Sequence, residues 1–279
     1  MIYRIHTPRG PLSEFIEWLW YYEGLVPVAP MERVLPHGAL ELIIDLRSEP
    51  KRLFDRVDQG RFTSFRRGWL SGAQSGYIII EAMAGASMIG AHFKPGGAHP
   101  FFRLPMTEFQ DSVVELESVW GRAFDRLRDE LLEASTVASK FWVLEEFLLE
   151  RARGSPAPPR RVSYALRRFE AAPSTQTIRN LAGELGVSHK HFIHEFSQWA
   201  GLTPKLFCRI RRFQQVLGRI EASRAVEWAD VSNACGYYDQ AHFIRDFHLF
   251  SGLNPSAYLT HRGEYLNFVP FANGRSEGR

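Results

Sequence analysis

The feature that most restricts this chain is a pattern written twice in its last hundred or so residues. The first copy runs Ile178-Arg179-Asn180-Leu181-Ala182-Gly183-Glu184-Leu185-Gly186-Val187-Ser188, continues through His191-Phe192-Ile193-His194-Glu195-Phe196 and closes on Gly201-Leu202-Thr203-Pro204. The second runs Trp228-Ala229-Asp230-Val231-Ser232-Asn233-Ala234-Cys235-Gly236-Tyr237-Tyr238, then His242-Phe243-Ile244-Arg245-Asp246-Phe247, then Gly252-Leu253-Asn254-Pro255. Gly186 and Gly236 are 50 residues apart, whereas Phe192 and Phe243, like Pro204 and Pro255, are 51 apart, so the second turn is one residue longer.

Each copy reads as two helices joined by a tight turn. Ile178, Leu181 and Leu185 share one helical face, as do Trp228, Val231 and Cys235. Gly186 and Gly236 stand where the first helix must stop, because glycine alone reaches positive φ without a steric penalty. Ser188 is placed to cap the second helix. Phe192 and Phe196, and again Phe243 and Phe247, are i, i+4 pairs that pin that helix to a core and leave its other face polar. In such helix-turn-helix units the second helix enters the major groove of DNA. Pro204 suits the first turn of a connecting helix to about Ala222. Its 19 residues at ~1.5 Å each span roughly 28 Å, close to the ~34 Å of one DNA turn. The aromatic stripes alone would fit any helical core; the doubled unit is what a generic bundle has no reason to adopt.

Charge follows the same division. Residues 160–262 hold 14 Lys/Arg against 8 Asp/Glu, while residues 1–159 hold 18 against 21, within a net charge of +3. A basic back half behind a mildly acidic front half points to a polyanion partner for the former. Between them, Gly154-Ser155-Pro156-Ala157-Pro158-Pro159-Arg160-Arg161 reads as an extended linker. The spacing of Phe15, Trp18, Leu19 and Tyr22 predicts a helix over Leu12–Tyr22. Strands are expected over Ala39–Leu46, Gly76–Met83 and Ser87–Lys94, a turn at Pro95-Gly96-Gly97, and helices over Glu108–Arg151. No strand is expected after the seam. The expected architecture is an α+β N-terminal domain, a small antiparallel sheet plus helices, followed by an all-α C-terminal domain of two helix-turn-helix subdomains joined by a linker helix. The expected bounds are 1–153, linker 154–161, 162–262 and a tail 263–279.

From about Tyr164 to Tyr258 the chain resembles the AraC/XylS family of bacterial transcription regulators. The densest match is Gly236-Tyr237-Tyr238-Asp239-Gln240-Ala241-His242-Phe243-Ile244-Arg245-Asp246-Phe247 with Gly252-Leu253-Asn254-Pro255-Ser256-Ala257-Tyr258. The front half is similar to a less characterised domain attached to such regulators, through Trp18-Leu19-Trp20-Tyr21, Val34-Leu35-Pro36-His37-Gly38, Glu41-Leu42-Ile43 and Phe93-Lys94-Pro95-Gly96-Gly97. The resemblance implies a sequence-specific regulator whose N-terminal domain controls DNA binding. It implies base-edge readers at Lys190, Ile193 and His194 in the first unit and at Gln240 and Arg245 in the second, with Asp239 capping or orienting. Arginine can pair bidentately with guanine and glutamine with adenine. Phosphate contacts fall to Ser188, His191, Lys205, Arg211 and Arg212, with burial in an ion pair as the other role open to Arg212. His194 and His248 stand where the family often has a fixed cation, which makes contact there weaker and, at His194, sensitive to pH. The implied partner is double-stranded DNA; RNA polymerase, a small-molecule effector and a second copy of the chain are further partners it leaves open.

Other classes fit less well. Cys208 and Cys235 read as buried thiols of a reducing compartment, not as nucleophiles or a disulfide framework. There is no P-loop or dinucleotide fingerprint among Gly85, Gly90, Gly96 and Gly97. His37, Glu41, His92 and His99 raise a metal-dependent, cupin-like enzyme, but the His-x-His spacing such a site would want is missing, so neither metal, cofactor nor catalytic residue is expected. With no apolar run near ~20 residues and no signal-like N-terminus, a cytoplasmic protein without membrane contact is expected. Trp18, Trp20, Tyr21, Phe93 and Phe101 are candidates to line an effector pocket, with core packing as the plainer role. A regulator acting mainly through protein contacts, with weak DNA affinity, is the second reading.

Overall fold

The computed structural model describes residues 1–47, 49–174, 177–222 and 226–271. The front half is built on β1 (Ile2–His6), β2 (Ile16–Glu23), β3 (Met31–Val34), β4 (Glu41–Asp45), β5 (Lys51–Phe54), β6 (Phe62–Phe65), β7 (Gly68–Ser71), β8 (Ile78–Glu81), β9 (Ser87–Phe93) and β10 (Val113–Glu115). A six-stranded sheet has the order β1-β2-β9-β4-β7-β10, and β8, β5 and β6 belong to a second, five-stranded sheet that opens with β3 and one later strand. All the pairings are antiparallel.

The three expected strands are β4, β8 and β9. The expected helix over Leu12–Tyr22 is instead a short 3-10 turn at Gly10–Glu14 followed by β2. The reason is that both faces of this strand are apolar. Leu19 and Tyr21 join the main core, while Trp20 joins a second cluster with Ile43, Ala86 and Met88, flanked by Trp18, Tyr22, Leu25 and Trp69. A strand buried on both sides loses its period-2 signature and can mimic a helical stripe.

Helices α1 (His99–Phe102), α2 (Leu116–Trp120), α3 (Arg122–Glu133) and α4 (Val137–Ala152) follow the sheets. Phe124, Leu127 and Leu131 on α3, and Phe141, Leu144, Phe147 and Leu148 on α4, are the buried stripe that the sequence spacing indicates. Residues 155–159 are coil. Beyond them come α5 (Arg160–Ala171), α6 (Ile178–Glu184), α7 (His189–Ala200), α8 (Pro204–Ala222), α9 (Trp228–Ala234), α10 (Gln240–Ser251) and α11 (Pro255–His261).

One expectation fails after the seam: Phe268–Phe271 forms a strand, β11, that pairs antiparallel with β3. Four residues including a proline give little strand signal, but β11 is an edge strand, where Pro270 is tolerated. The end of the expected tail, 272–279, lies outside the described residues. Both halves of the chain contribute to one continuous cluster of buried residues, from Leu12, Phe93 and Phe101 to Phe196, Phe213, Phe247 and Val269.

Candidate nucleic-acid interface

The two repeated units are built to one plan. In the first, the turn between α6 and α7 passes through Gly186 at φ 67°, Ser188 accepts the His191 backbone N–H at 3.2 Å, and α7 ends on Gly201 at φ 77°. In the second, the turn passes through Gly236 at φ 75°, Asp239 accepts the His242 N–H at 2.6 Å, and α10 ends on Gly252 at φ 70°. Each end uses the left-handed conformation that glycine alone adopts cheaply. Phe192, Phe196, Phe243 and Phe247 are buried, as their i, i+4 spacing requires. The aromatic network extends to the long helices, with Phe196 edge-on to Phe207 at 5.7 Å and Phe247 edge-on to Phe213 at 5.3 Å.

The sequence did not single out a second repeated device. Glu195 and Asp246 hold equivalent places in α7 and α10, on the apolar side of each helix. Each takes an arginine from the long helix that precedes its unit. Arg161 of α5 forms an ion pair with Glu195. Arg209 of α8 reaches Asp246 through Nη2 at 2.7 Å and Nε at 3.2 Å. Arg212 and His242 add contacts to the same carboxylate at 3.8 and 3.6 Å. Asp246 is 2% exposed. The available signal was its register: positions 243, 246, 247 and 250 make one stripe, and a carboxylate on such a stripe needs a buried cation.

The polar face of each second helix is open. Lys190, His191 and His194 on α7 are exposed and Ile193 is half-buried. Gln240 and Arg245 on α10 are exposed, with the Arg245 Nε–H donating to the Ala241 carbonyl of its own helix at 3.3 Å. Ser188, at the head of α7, and Lys205, at the start of α8, are also exposed. Arg211 and Arg212 stand apart from this group. Arg211 turns toward the front half and donates to the His37 carbonyl at 3.4 Å. Arg212 takes the ion-pair alternative: besides its contact with Asp246 it donates to the Gly236 carbonyl at 3.4 Å and lies over the Tyr237 ring at 4.9 Å.

Sequence comparison assigns residues 181–261 to a family described as a helix-turn-helix domain, and residues 4–115 to a domain of unknown function, DUF6597. Residues 181–261 are an AraC-type helix-turn-helix domain. At that level the chain is a DNA-binding transcription regulator. No curated protein matches it in sequence. Among solved structures it is similar to ToxT of Vibrio cholerae, at 9% identity and a TM-score of 0.45, over 87% of this chain and 98% of that one. It is also similar to the C-terminal domain of the response regulator AraT of Geobacillus stearothermophilus, at 17% identity and a TM-score of 0.36, over 44% of this chain and all of that one.

The AraC-type domain is seated on the front half at several points. His99 stacks on Trp199 of α7 at 4.0 Å. Gln214 of α8 donates to the Pro36 carbonyl at 2.8 Å and to the Asn267 side chain at 2.8 Å. Of the four residues weighed as metal ligands, His37, Glu41 and His92 come together and His99 stays apart. Burial holds the His37 imidazole well below the usual histidine range, with His92 and Arg211 acting in the same direction. Burial lowers His99 too. Both cysteines are buried within the domain; burial pushes the Cys208 thiol up to about 12 and raises that of Cys235 as well, so neither is a thiolate at neutral pH. No helix among the described residues is long and apolar enough to cross a membrane.

The two lowered histidines set a direction for pH. In the folded chain they resist protonation, whereas in the unfolded chain they take up protons near pH ~6.5. Below that value the unfolded state binds more protons, so stability falls as pH falls. Urea unfolding of the full chain at pH 7.5 and 5.5 is expected to show lower stability at 5.5, and His99→Phe is expected to narrow the gap. An unchanged gap in that variant would remove His99 from the explanation.

Proposed function

We propose that the chain is a sequence-specific regulator that lays α7 and α10 into two adjacent major-groove segments of one duplex, under the control of residues 1–153. Lys190, Ile193 and His194 read base edges in one segment, and Gln240 and Arg245 in the other. Ser188, which keeps its hydroxyl proton to donate, His191 and Lys205 take phosphates. Arg211 and Arg212 are engaged elsewhere in this arrangement and are left out of the contact set. The observation that carries this reading is the matched framing of the two helices: each is capped at its start, stopped by a left-handed glycine, anchored by two phenylalanines and clamped by an arginine, with its polar face open. Arg245 has the strongest base-reading chemistry of the set, because its guanidinium can engage guanine bidentately once it leaves the Ala241 carbonyl.

The test is fluorescence anisotropy of the full chain against its own upstream DNA at two salt concentrations. Arg245→Ala is expected to weaken binding to the preferred site by about 1–3 kcal/mol and to leave random DNA nearly unaffected. Affinity for all sequences is expected to fall steeply with salt, through release of counterions. Equal, weak binding of both proteins to every sequence would favour a regulator that works through protein contacts.

A further inference from the structure

The turn after β3 and the neighbouring strands β4 and β9 bring three metal-ligating side chains to one point. Glu41 and His92 are direct partners across β4 and β9, on the face opposite Leu42 and Ala91. His37 covers them, its ring 4.5 Å from that of His92. One nitrogen of each histidine and one carboxylate oxygen lie within 4.8 Å of one another. His92 Nδ1 is 2.6 Å and His37 Nε2 4.0 Å from Glu41 Oε2. The side chains are 22%, 21% and 16% exposed for His37, Glu41 and His92, so a small ion can enter from solvent.

Two further observations separate this cluster from an ordinary hydrogen-bonded pair. First, the surroundings hold the ligands from behind. The Trp20 indole N–H donates to the other Glu41 oxygen, and the His92 ring stacks on Trp18 at 4.2 Å with planes 4° apart. Outer contacts of this kind orient ligands around a metal. Second, His37 Nδ1 is buried with no hydrogen-bond partner while its Nε2 stops short of a bond to the carboxylate. His37 thus keeps a ring lone pair that no protein group uses, and an ion arriving from the Nε2 side can take it.

We propose that His37, Glu41 and His92 bind one divalent transition-metal ion of the zinc type, and that the ion fixes the loop on which the linker helix rests. Two histidines and one carboxylate are a donor set suited to zinc with one position left open. Bonds of about 2.0–2.1 Å place tetrahedral ligand atoms roughly 3.3 Å apart, so His37 must close on Glu41 by under an ångström, and His92 must part from it by a similar amount, exchanging its hydrogen bond for the ion. The adjoining backbone is what α8 touches. The Pro36 carbonyl accepts from Gln214, the His37 carbonyl accepts from Arg211, and Gly38 packs on the Phe207 ring, where an added Cβ would stand 3.2 Å from a ring carbon. Closing His37 onto an ion therefore holds three contacts to the helix that joins the two units. The site needs nothing from the DNA-binding reading; its meaning as a regulatory input rests on that reading.

The experiment uses the full, tag-free chain stripped with a chelator. Titration calorimetry with zinc chloride is expected to give one ion per chain, and cobalt(II) to give visible d–d absorption at the same stoichiometry. His37→Gln, Glu41→Gln and His92→Gln are each expected to weaken uptake more than tenfold, with metal-free melting curves showing which variants remain folded. Hydrogen exchange then reads the coupling: zinc is expected to slow exchange in residues 34–41 and 205–215 of the wild type, and not in a folded ligand variant. Absence of stoichiometric uptake, or equal uptake by folded variants, would overturn the site. Uptake with unchanged exchange in α8 would overturn the coupling. Neither readout involves DNA, so loss of the DNA-binding reading would appear separately in the anisotropy titration.

Discussion

Asp246→Ala is expected to destabilise the full chain by about 3 kcal/mol, measured by urea unfolding at neutral pH. Removing one partner of a buried ion pair costs about 3–5 kcal/mol, because the partner charge stays behind without compensation. The lower end applies here, since the Arg209 side chain is 30% exposed and can recover some hydration, while Arg212, at 14%, recovers less. The same carboxylate ties α10 to α8 through Arg209, so its loss frees the helix that carries Gln240 and Arg245, and DNA affinity is expected to fall with stability. Asp246→Asn keeps the shape and one acceptor oxygen and is expected to lose less. Stability within about 0.5 kcal/mol of wild type in Asp246→Ala, the ordinary range for a surface change, would show that the clamp contributes little.

Gly90→Ala is expected to cost about 3 kcal/mol, at the upper end for overpacking. An added Cβ would lie 2.3 Å from the Leu42 carbonyl oxygen and 2.4 Å from the Trp20 ring. The carbonyl belongs to the paired strand β4 and cannot step aside without disturbing the ladder. The ring can move only by giving up its hydrogen bond to Glu41. Gly85→Ala serves as the comparison: its φ is +70° and nothing lies within 4 Å of the added Cβ, so it bears backbone strain alone, about 1–2 kcal/mol. If Gly90→Ala proved no worse than Gly85→Ala in urea unfolding, the close approach of β2, β4 and β9 would be wrong.

The two-unit half was legible because its signals are local. The turn glycines, the Ser188 cap and the phenylalanine pairs act within a few residues of where they stand, and the linker helix spans Pro204 to Ala222 as its proline and spacing suggest. What was hidden depends on partners far away in sequence. Arg211 reads as one more basic residue of a basic helix, yet its acceptor is the His37 carbonyl, 174 residues earlier. Glu41 and His92 meet through the register of β4 with β9, which no spacing within either strand reveals. The front sheets were half-read for a similar reason. Strands such as Phe62–Phe65 are four residues long and mostly exposed, so they carry little pattern of their own and are defined by the neighbours they pair with.

The pairing of β3 with β11 joins residue 34 to residue 268. On the ribosome these strands emerge on the order of tens of seconds apart, at about 5–20 residues per second. Until residues 268–271 are translated, β3 waits as an open sheet edge, the kind of surface that recruits strands from other chains. The front half therefore receives its final strand only after the DNA-binding half exists. A product cut short before residue 268 keeps that edge open, which exposes it to aggregation and proteolysis.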